Sequence, residues 1–241
     1  MKAVEHAVLL AAGRGTRLGA LTDATPKPLL TVGNVPILHR IVDGLAAAGI
    51  RDFSIVTGYR ADEIESATGD GSRWGVHIRY FRQQKLEGTA RALELVRRHL
   101  LAHRFYVGWG DIVVEPWNYR RLLSAARHSA CVLAVNEVDD PAEGAAVYVD
   151  ESMRVTRIVE KPAPGTSTTR WNNAGLAVLD EHIWRAIDHL VPSSRGEYEL
   201  PQAVAALIDQ GTVFQAIPIE GPWFDIGTPA NLTEARRHFG A

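Results

Sequence analysis

The chain has 241 residues, 46% of them hydrophobic and 22% charged, with a formal net charge of -2 and one cysteine. A length of this order buries a sizeable core. The near balance of charge removes any global electrostatic case for binding nucleic acid or an acidic membrane surface, so affinity for an anion has to come from a local site. The single Cys131 excludes an intramolecular disulfide and sits in the apolar run Ala130 to Val135, a core position rather than a catalytic thiol. No apolar stretch is long enough to span a bilayer, and the N-terminus has no signal-peptide pattern. A soluble, cytoplasmic enzyme is the expectation, and homo-oligomer formation stays open.

The apolar run Ala7 to Ala12 reads as a buried strand, and at Gly13 the chain enters a loop containing Gly13, Gly15 and Gly19. Glycines there let backbone N–H groups approach a phosphate and take up dihedrals that other residues avoid. Arg17 and Lys27 follow, with Lys27 bracketed and stiffened by Pro26 and Pro28. A strand, an anion nest, an arginine and a rigidly held lysine suggest a polyphosphate site. A dinucleotide fingerprint needs glycine where Leu18 stands, and a Walker A loop needs a terminal Gly-Lys-Ser/Thr that is missing. A plain glycine turn explains neither the cations nor the prolines.

Pro36 begins a helical pattern with Ile37, Leu38, Ile41, Val42 and Leu45 on one face, and Gly49 ends it. Strands are expected at Phe53 to Thr57, Val76 to Phe81 and Phe105 to Trp109. Helices are expected at Ala61 to Ala67, Thr89 to Leu101 and Trp117 to Arg127. This alternation predicts a mostly parallel sheet covered on both faces, with ligands beyond the carboxyl ends of the strands. After Cys131 strands dominate, near Val132 to Asn136, Ala145 to Val149, Val155 to Val159 and Asn172 to Leu179, broken by the Pro/Gly/Ser/Thr-rich loop Ala163 to Arg170. Helices near Asp180 to Leu190 and Glu199 to Gln210, a strand Val213 to Ile217 and a helix Pro229 to Phe239 complete the chain. Nothing marks a linker. One domain, 1-241, is expected, with a nucleotide half to about residue 130 and a second-substrate half after it.

Five further segments carry candidate chemistry. In Gln83 to Ala90, Gln83 can offer a donor and an acceptor to a base edge and Gly88 permits close approach, although a polar loop with Thr89 as helix cap explains the same residues. Gly110-Asp111 supplies a carboxylate after a strand, and Trp223 to Thr228 a second, Asp225, before a helix. Two carboxylates suffice for magnesium on a nucleotide, since phosphates and waters complete its octahedron; each segment is also a plausible turn. Glu160-Lys161-Pro162 repeats the logic of Lys27, against the common alternative of a surface salt pair. Asn173-Ala174-Gly175 is a weaker candidate for hydroxyl contacts.

In this order, from Leu9 to Ala235, the motifs resemble those of the sugar-1-phosphate nucleotidyltransferases, and most closely the glucose-1-phosphate thymidylyltransferases and near relatives. The resemblance implies an α/β fold with a Rossmann-like, mixed, mostly parallel sheet, and transfer of a nucleotidyl group from a nucleoside triphosphate to a sugar 1-phosphate with magnesium as cofactor. It implies that Ala11, Ala12, Gly13, Gly15, Thr16 and Arg17 hold the triphosphate and that Lys27 contacts the reacting phosphate. Gln83, Gly88 and Thr89 are implied at the base, Asp111 and Asp225 on the metal, Lys161 on the sugar phosphate, and Gly144, Glu160 and Asn173 around the sugar. Neither nucleic acid nor a membrane is an implied partner, and no appended β-helix domain is expected. Glu87, Arg91, Trp109 and Glu143 depart from the family's usual residues. The departure at Glu143 leaves room for a non-sugar phosphate acceptor of cyclitol or choline type. A non-catalytic binding subunit is expected to lack one of Arg17, Lys27, Asp111, Lys161 and Asp225, and all are present.

Overall fold

A computed structural model of the protein describes residues 3–100 and 102–240. The first strand, β1 (His6–Ala11), is buried from Ala7 onward. Its side chains alternate, with Ala7, Leu9 and Ala11 entering one core and Val8, Leu10 and Ala12 another. A strand buried on both faces needs a layer on each side, and the helices supply it. A five-residue helix α1 (Ala20–Ala24) and a hairpin of β2 (Thr31–Val32) and β3 (Val35–Pro36) lead to α2 (Ile37–Ala48). Gly49 ends α2 at φ +114°, donating to the carbonyls of Leu45 and Ala46. Then come β4 (Asp52–Thr57), α3 (Ala61–Thr68), β5 (His77–Arg82), α4 (Thr89–Glu94), β6 (Arg104–Trp109), β7 (Ile112–Val114) and α5 (Trp117–Ala125). The second half holds β8 (Cys131–Glu137), β9 (Ala145–Val149), β10 (Val155–Glu160), β11 (Trp171–Asp180), α6 (His182–Asp188), α7 (Leu200–Asp209), β12 (Phe214–Pro218), β13 (Trp223–Asp225) and α8 (Pro229–Phe239).

The main sheet runs β10-β9-β11-β6-β1-β4-β5, with β8 paired to β11 and β12 to β8. β6, β1, β4 and β5 are mutually parallel. β11 reverses the direction, pairing antiparallel with β6, β8 and β9. The sheet therefore crosses without a break from the first half into the second. Helices α2, α5 and α8 cover one face and α4, α6 and α7 the other. No helix among the described residues is long and apolar enough to cross a membrane.

The expected elements are present with ends shifted by a few residues, apart from the helix from Thr89. α4 stops at Glu94, and Val96, Arg97 and His99 continue as turns that bond to the carbonyls three residues back. The side chains at Leu93, Val96 and Leu100 stay buried, so the periodicity survives while the backbone tightens. The expected end of that helix, Leu101, lies outside the described residues. The β2–β3 hairpin and the β7–β13 ribbon are too short to show any periodicity in the sequence.

Candidate active site

Three strand ends form the floor of the site, and small residues let them close on one another. A Cβ on Gly58 would fall 2.6 Å from the Ala12 carbonyl oxygen, and one on Gly110 would fall 2.8 Å from the Ala11 Cβ. Tyr59 and Gly110 donate backbone bonds to Ala12 and Leu10. Above this floor Gly13 turns the chain, and a Cβ there would meet nothing within 4 Å. Gly15 follows in the left-handed region (φ +71°) as the cap of a single 3-10 turn, Thr16–Leu18. Thr22 ties the loop down by donating from Oγ1 to the carbonyls of Gly15 and Gly19.

Lys27 opens a second 3-10 turn after Pro26, and its stem lies against the first loop, since a Cβ on Gly15 would sit 3.2 Å from Lys27 Cδ. Its ammonium is nearly enclosed, with the side chain 11% exposed. Lys27 Nζ donates to Asp111 Oδ2 and lies 3.9 Å from Asp225 Oδ1. The ribbon of β7 and β13 creates this meeting. Asp225 pairs opposite Ile112, and Ile226 donates to the Asp111 carbonyl. Gly227 then leaves room for Arg17, whose Nη2 sits 2.9 Å from where its Cβ would be. Thr228 caps α8, its Oγ1 accepting from the Asn231 N–H, 3.3 Å, at the edge of a space that adjoins the cleft. Burial first, and the neighbouring charge of Asp111 next, push the Asp225 carboxyl above its ordinary range, while Lys27 and Arg17 pull it back. Two hard carboxylates near each other, beside an open cleft, are oxygen donors of the kind a hard divalent cation takes. Among the described residues no set of three or more His, Cys, Asp or Glu forms a metal cage.

Arg17, Thr89, Asp111, Gly144, Glu160, Lys161, Asn173 and Asp225 line one cleft of about 290 Å³. An adjoining space of about 500 Å³ shares Arg17, Gly144 and Asp225 and extends to Asp140 and Asn231. Lys27 sits behind the cleft wall, in contact through Asp111. Ala11, Ala12, Gly13, Gly15 and Thr16 belong to the strand-end floor and loop rather than to this cleft. Gln83 and Gly88 also lie off it. Gln83 is buried and donates from Nε2 to the Gly88 carbonyl, 3.2 Å. Gly88, at φ +104°, brings its backbone against Tyr198, where a Cβ would fall 2.5 Å from the carbonyl oxygen. Thr89 does not cap its own helix; its hydroxyl accepts from the backbone of Leu200 at the start of α7, 2.9 Å.

On the far wall Lys161 holds φ +44°, a left-handed conformation unusual for a residue with a side chain, and donates its N–H to the Gly144 carbonyl. Gly144 has no room for a side chain because Asn172 Oδ1 occupies the space. Buried Asn172 accepts from the Ala145 N–H and donates to Asn136 Oδ1. Asn173 Oδ1 accepts from the Gly175 N–H across a bulge in β11. Burial and then the charge of Glu199 raise the Glu160 carboxyl to about 7, with Lys161 and Arg195 opposing.

Arg195, Glu197, Glu199 and Trp223 also line the cleft, and reading of the sequence missed them. The first three sit in an irregular segment before α7 that offers no periodic signal. Trp223 stands inside a recognised motif, beside the aspartate that drew attention. Its Nε1 donates to the Ala174 carbonyl, 2.9 Å. Of the departures, Trp109 packs toward Gly175, and Glu143 lines both spaces and adds negative charge near Asp225. A larger space of about 640 Å³ lies at the amino ends of the strands, near His6, His77 and Arg104. His6 is paired with Ser54 there and Arg104 with backbone carbonyls, while Asp52, His77 and Arg79 also line the space.

A family model described as nucleotidyl transferase matches residues 6–240. A glucose-1-phosphate thymidylyltransferase of Streptomyces antibioticus is 34% identical over 233 residues, 96% of this chain and 65% of that protein. A UTP–glucose-1-phosphate uridylyltransferase, AglF, of Haloferax volcanii is 34% identical over 236 residues, 96% of this chain and 95% of that protein. A Bacillus anthracis protein assigned as a glucose-1-phosphate thymidylyltransferase, solved with sucrose, superposes with a TM-score of 0.88 at 27% identity, covering 98% of this chain and 95% of that one. The chain spans 65% of the length of the Streptomyces relative and 54% of that of the similar bifunctional GlmU proteins of Methanococcus. Matched by the family model over nearly its whole length, the chain belongs to the nucleotidyl transferase family.

Proposed function

We propose that the protein transfers a nucleotidyl group from a nucleoside triphosphate to a sugar 1-phosphate. An oxygen of the sugar phosphate attacks the α-phosphorus, the bond from that phosphorus to the bridging oxygen of the β-phosphate breaks, and pyrophosphate leaves. The attacking phosphate is already ionised at neutral pH, so no general base is needed. The barrier lies in the repulsion of two anions and in their alignment. Arg17 and Lys27 answer the repulsion from the triphosphate side and Lys161 from the acceptor side. The open space above Gly13 leaves its backbone free to approach phosphate oxygens. Asp111 and Asp225 would hold magnesium, which when bound supplies further neutralisation between the phosphates. Glu160 and Asn172–Asn173 face the sugar side of the cleft.

The observation that carries this reading is the convergence on Lys27 Nζ of Asp111 and Asp225, residues far apart in the chain, against the stem-to-glycine contact at Gly15. The relatives named for thymidylyl and uridylyl transfer to glucose 1-phosphate make those triphosphates and that acceptor the first pairs to assay. Pyrophosphate release across a panel of triphosphates and 1-phosphates is the test. Asp111→Ala is expected to reduce turnover by roughly 100-fold or more with the unfolding midpoint little changed. Near-normal release by well-folded Asp111→Ala protein contradicts the assignment.

A further inference from the structure

The loop expected to read the base and the segment that lines the acceptor side of the cleft are joined through one residue. Tyr198 donates its N–H to the Glu87 carbonyl, 2.8 Å, and its own carbonyl accepts from Ala90, 2.9 Å. Leu200 bonds to the Thr89 hydroxyl one step further on. Glu199 is extended (φ −91°, ψ 127°), and in extended backbone successive side chains leave on opposite sides. Glu197 and Glu199 accordingly line the cleft, and Tyr198 between them faces the other way. There the Arg91 guanidinium lies over the Tyr198 ring, 4.1 Å from Cζ to the ring centre. Glu94, one turn along the same helix, holds that guanidinium with a 2.6 Å ion pair. On the cleft side Arg195 pairs with Glu199 and stands 3.9 Å from both Glu160 and Glu197.

We propose that Arg91 is a positioning residue that clasps Tyr198 and so keeps the 193–199 segment, with Arg195, Glu197 and Glu199, set against the acceptor side of the cleft. The role in acceptor binding rests on the functional reading above; the clasp itself does not. Arg91 does not line the cleft, so its effect on the acceptor side passes through Tyr198. The planar guanidinium stacks where an ammonium cannot, which makes lysine an imperfect replacement. The clasp is anchored on α4 directly after Gly88 and Thr89, so the donor half of the molecule helps to set the position of the segment.

Amide exchange on the ligand-free protein tests the clasp without reference to activity. Arg91→Ala is expected to speed exchange in the 193–200 peptide by about 3- to 10-fold, the range a cation–π contact of this kind supports, with β1 and β6 unchanged. In steady-state assays the same variant is expected to raise the KM for the sugar 1-phosphate by about 3- to 10-fold while kcat and the KM for the triphosphate stay within about 2-fold. Tyr198→Phe keeps the ring and retains near-normal values, Arg91→Lys recovers only part of the loss, and Arg91→Ala adds little to Tyr198→Ala. Unchanged exchange at 193–200, an equal rise in both KM values, or full additivity of the two alanine variants overturns the proposal. If the wild-type protein releases no pyrophosphate with any substrate pair, the functional reading falls, and the exchange arm still decides the clasp.

Discussion

The strand-end floor and glycine loop, proposed to hold the donor, and the cleft lining proposed to hold the acceptor form two walls of different material. The donor wall is mostly backbone and missing side chains. Parallel strands β1, β4 and β6 end together, Gly58 and Gly110 press against Ala12 and Ala11, and Gly13 and Gly15 turn the chain above them. The acceptor wall is mostly side chains on antiparallel strands and one irregular segment: Glu160, Lys161, Asn172, Arg195, Glu197 and Glu199. The difference teaches where sensitivity should lie. The donor wall has little to titrate and no room for added volume at Gly58 and Gly110, whereas the acceptor wall, with Glu160 beside Glu199, responds to pH.

The largest effect is expected where the walls meet. Lys27→Ala removes the cation that contacts Asp111 and approaches Asp225, leaving two half-buried carboxylates without it. Turnover measured by pyrophosphate release is expected to fall by about 100- to 1000-fold. A loss of less than about 10-fold means that the lysine is structural and that the walls do not share a reacting centre.

A smaller effect separates the walls. Gly110→Ala adds one methyl whose carbon would fall 2.8 Å from the Ala11 Cβ, and neither partner is the mobile end of a side chain. Urea unfolding is expected to show a loss of about 1 to 3 kcal/mol, and triphosphate binding to weaken more than acceptor binding. Equal weakening of both ligands would erase the distinction drawn between the walls.

An effect of similar size to that of Gly110→Ala, confined to the acceptor wall, belongs to pH. The Glu160 carboxyl titrates near about 7 in the folded protein because of burial and the charge of Glu199. Its folded value is raised, so the associated stability is fully present below the ordinary carboxylate range and is lost as pH rises toward and through about 7. Glu160→Gln is expected to flatten the fall in stability between about pH 4.5 and 7, a difference on the order of 1 to 3 kcal/mol at the upper end. For acceptor binding the sign reverses. The ionised carboxylate is the better acceptor of sugar hydroxyls, so the wild-type KM for the 1-phosphate is expected to rise as pH falls below about 7, and the glutamine variant to lose that slope. Titration of KM and of thermal midpoint across pH 5 to 8.5, roughly, reads both signs.

The comparison also explains which parts of the site could be read from residues alone. The glycine loop and lysine of the donor wall are contiguous in the chain from Leu9 to Lys27, and glycine and proline announce backbone geometry wherever they stand. The acceptor wall announces itself only where a proline or glycine accompanies the charge, as at Lys161-Pro162. Arg195, Glu197 and Glu199 look like any polar loop before a helix. The sequence reads Gly88 as permitting close approach, and the structure brings its backbone against Tyr198; a glycine shows that something comes close and not what comes close. Thr89 was set beside a helix-capping reading and holds the start of a different helix.

By itself the sequence determined the alternation of strands and helices, the two-faced burial of β1, the glycine loop and the identities of the charged residues, because periodicity, turn chemistry and charge are local properties. Only the tertiary structure decided that Asp111 and Asp225 share one lysine and that Tyr198 stands between the two walls. The physical reason is that both depend on pairings across long stretches of chain, β7 with β13 and Glu87–Ala90 with Tyr198. Such pairings are set by which buried surfaces the whole sheet brings together, and strands of three residues carry no periodicity that could have revealed them.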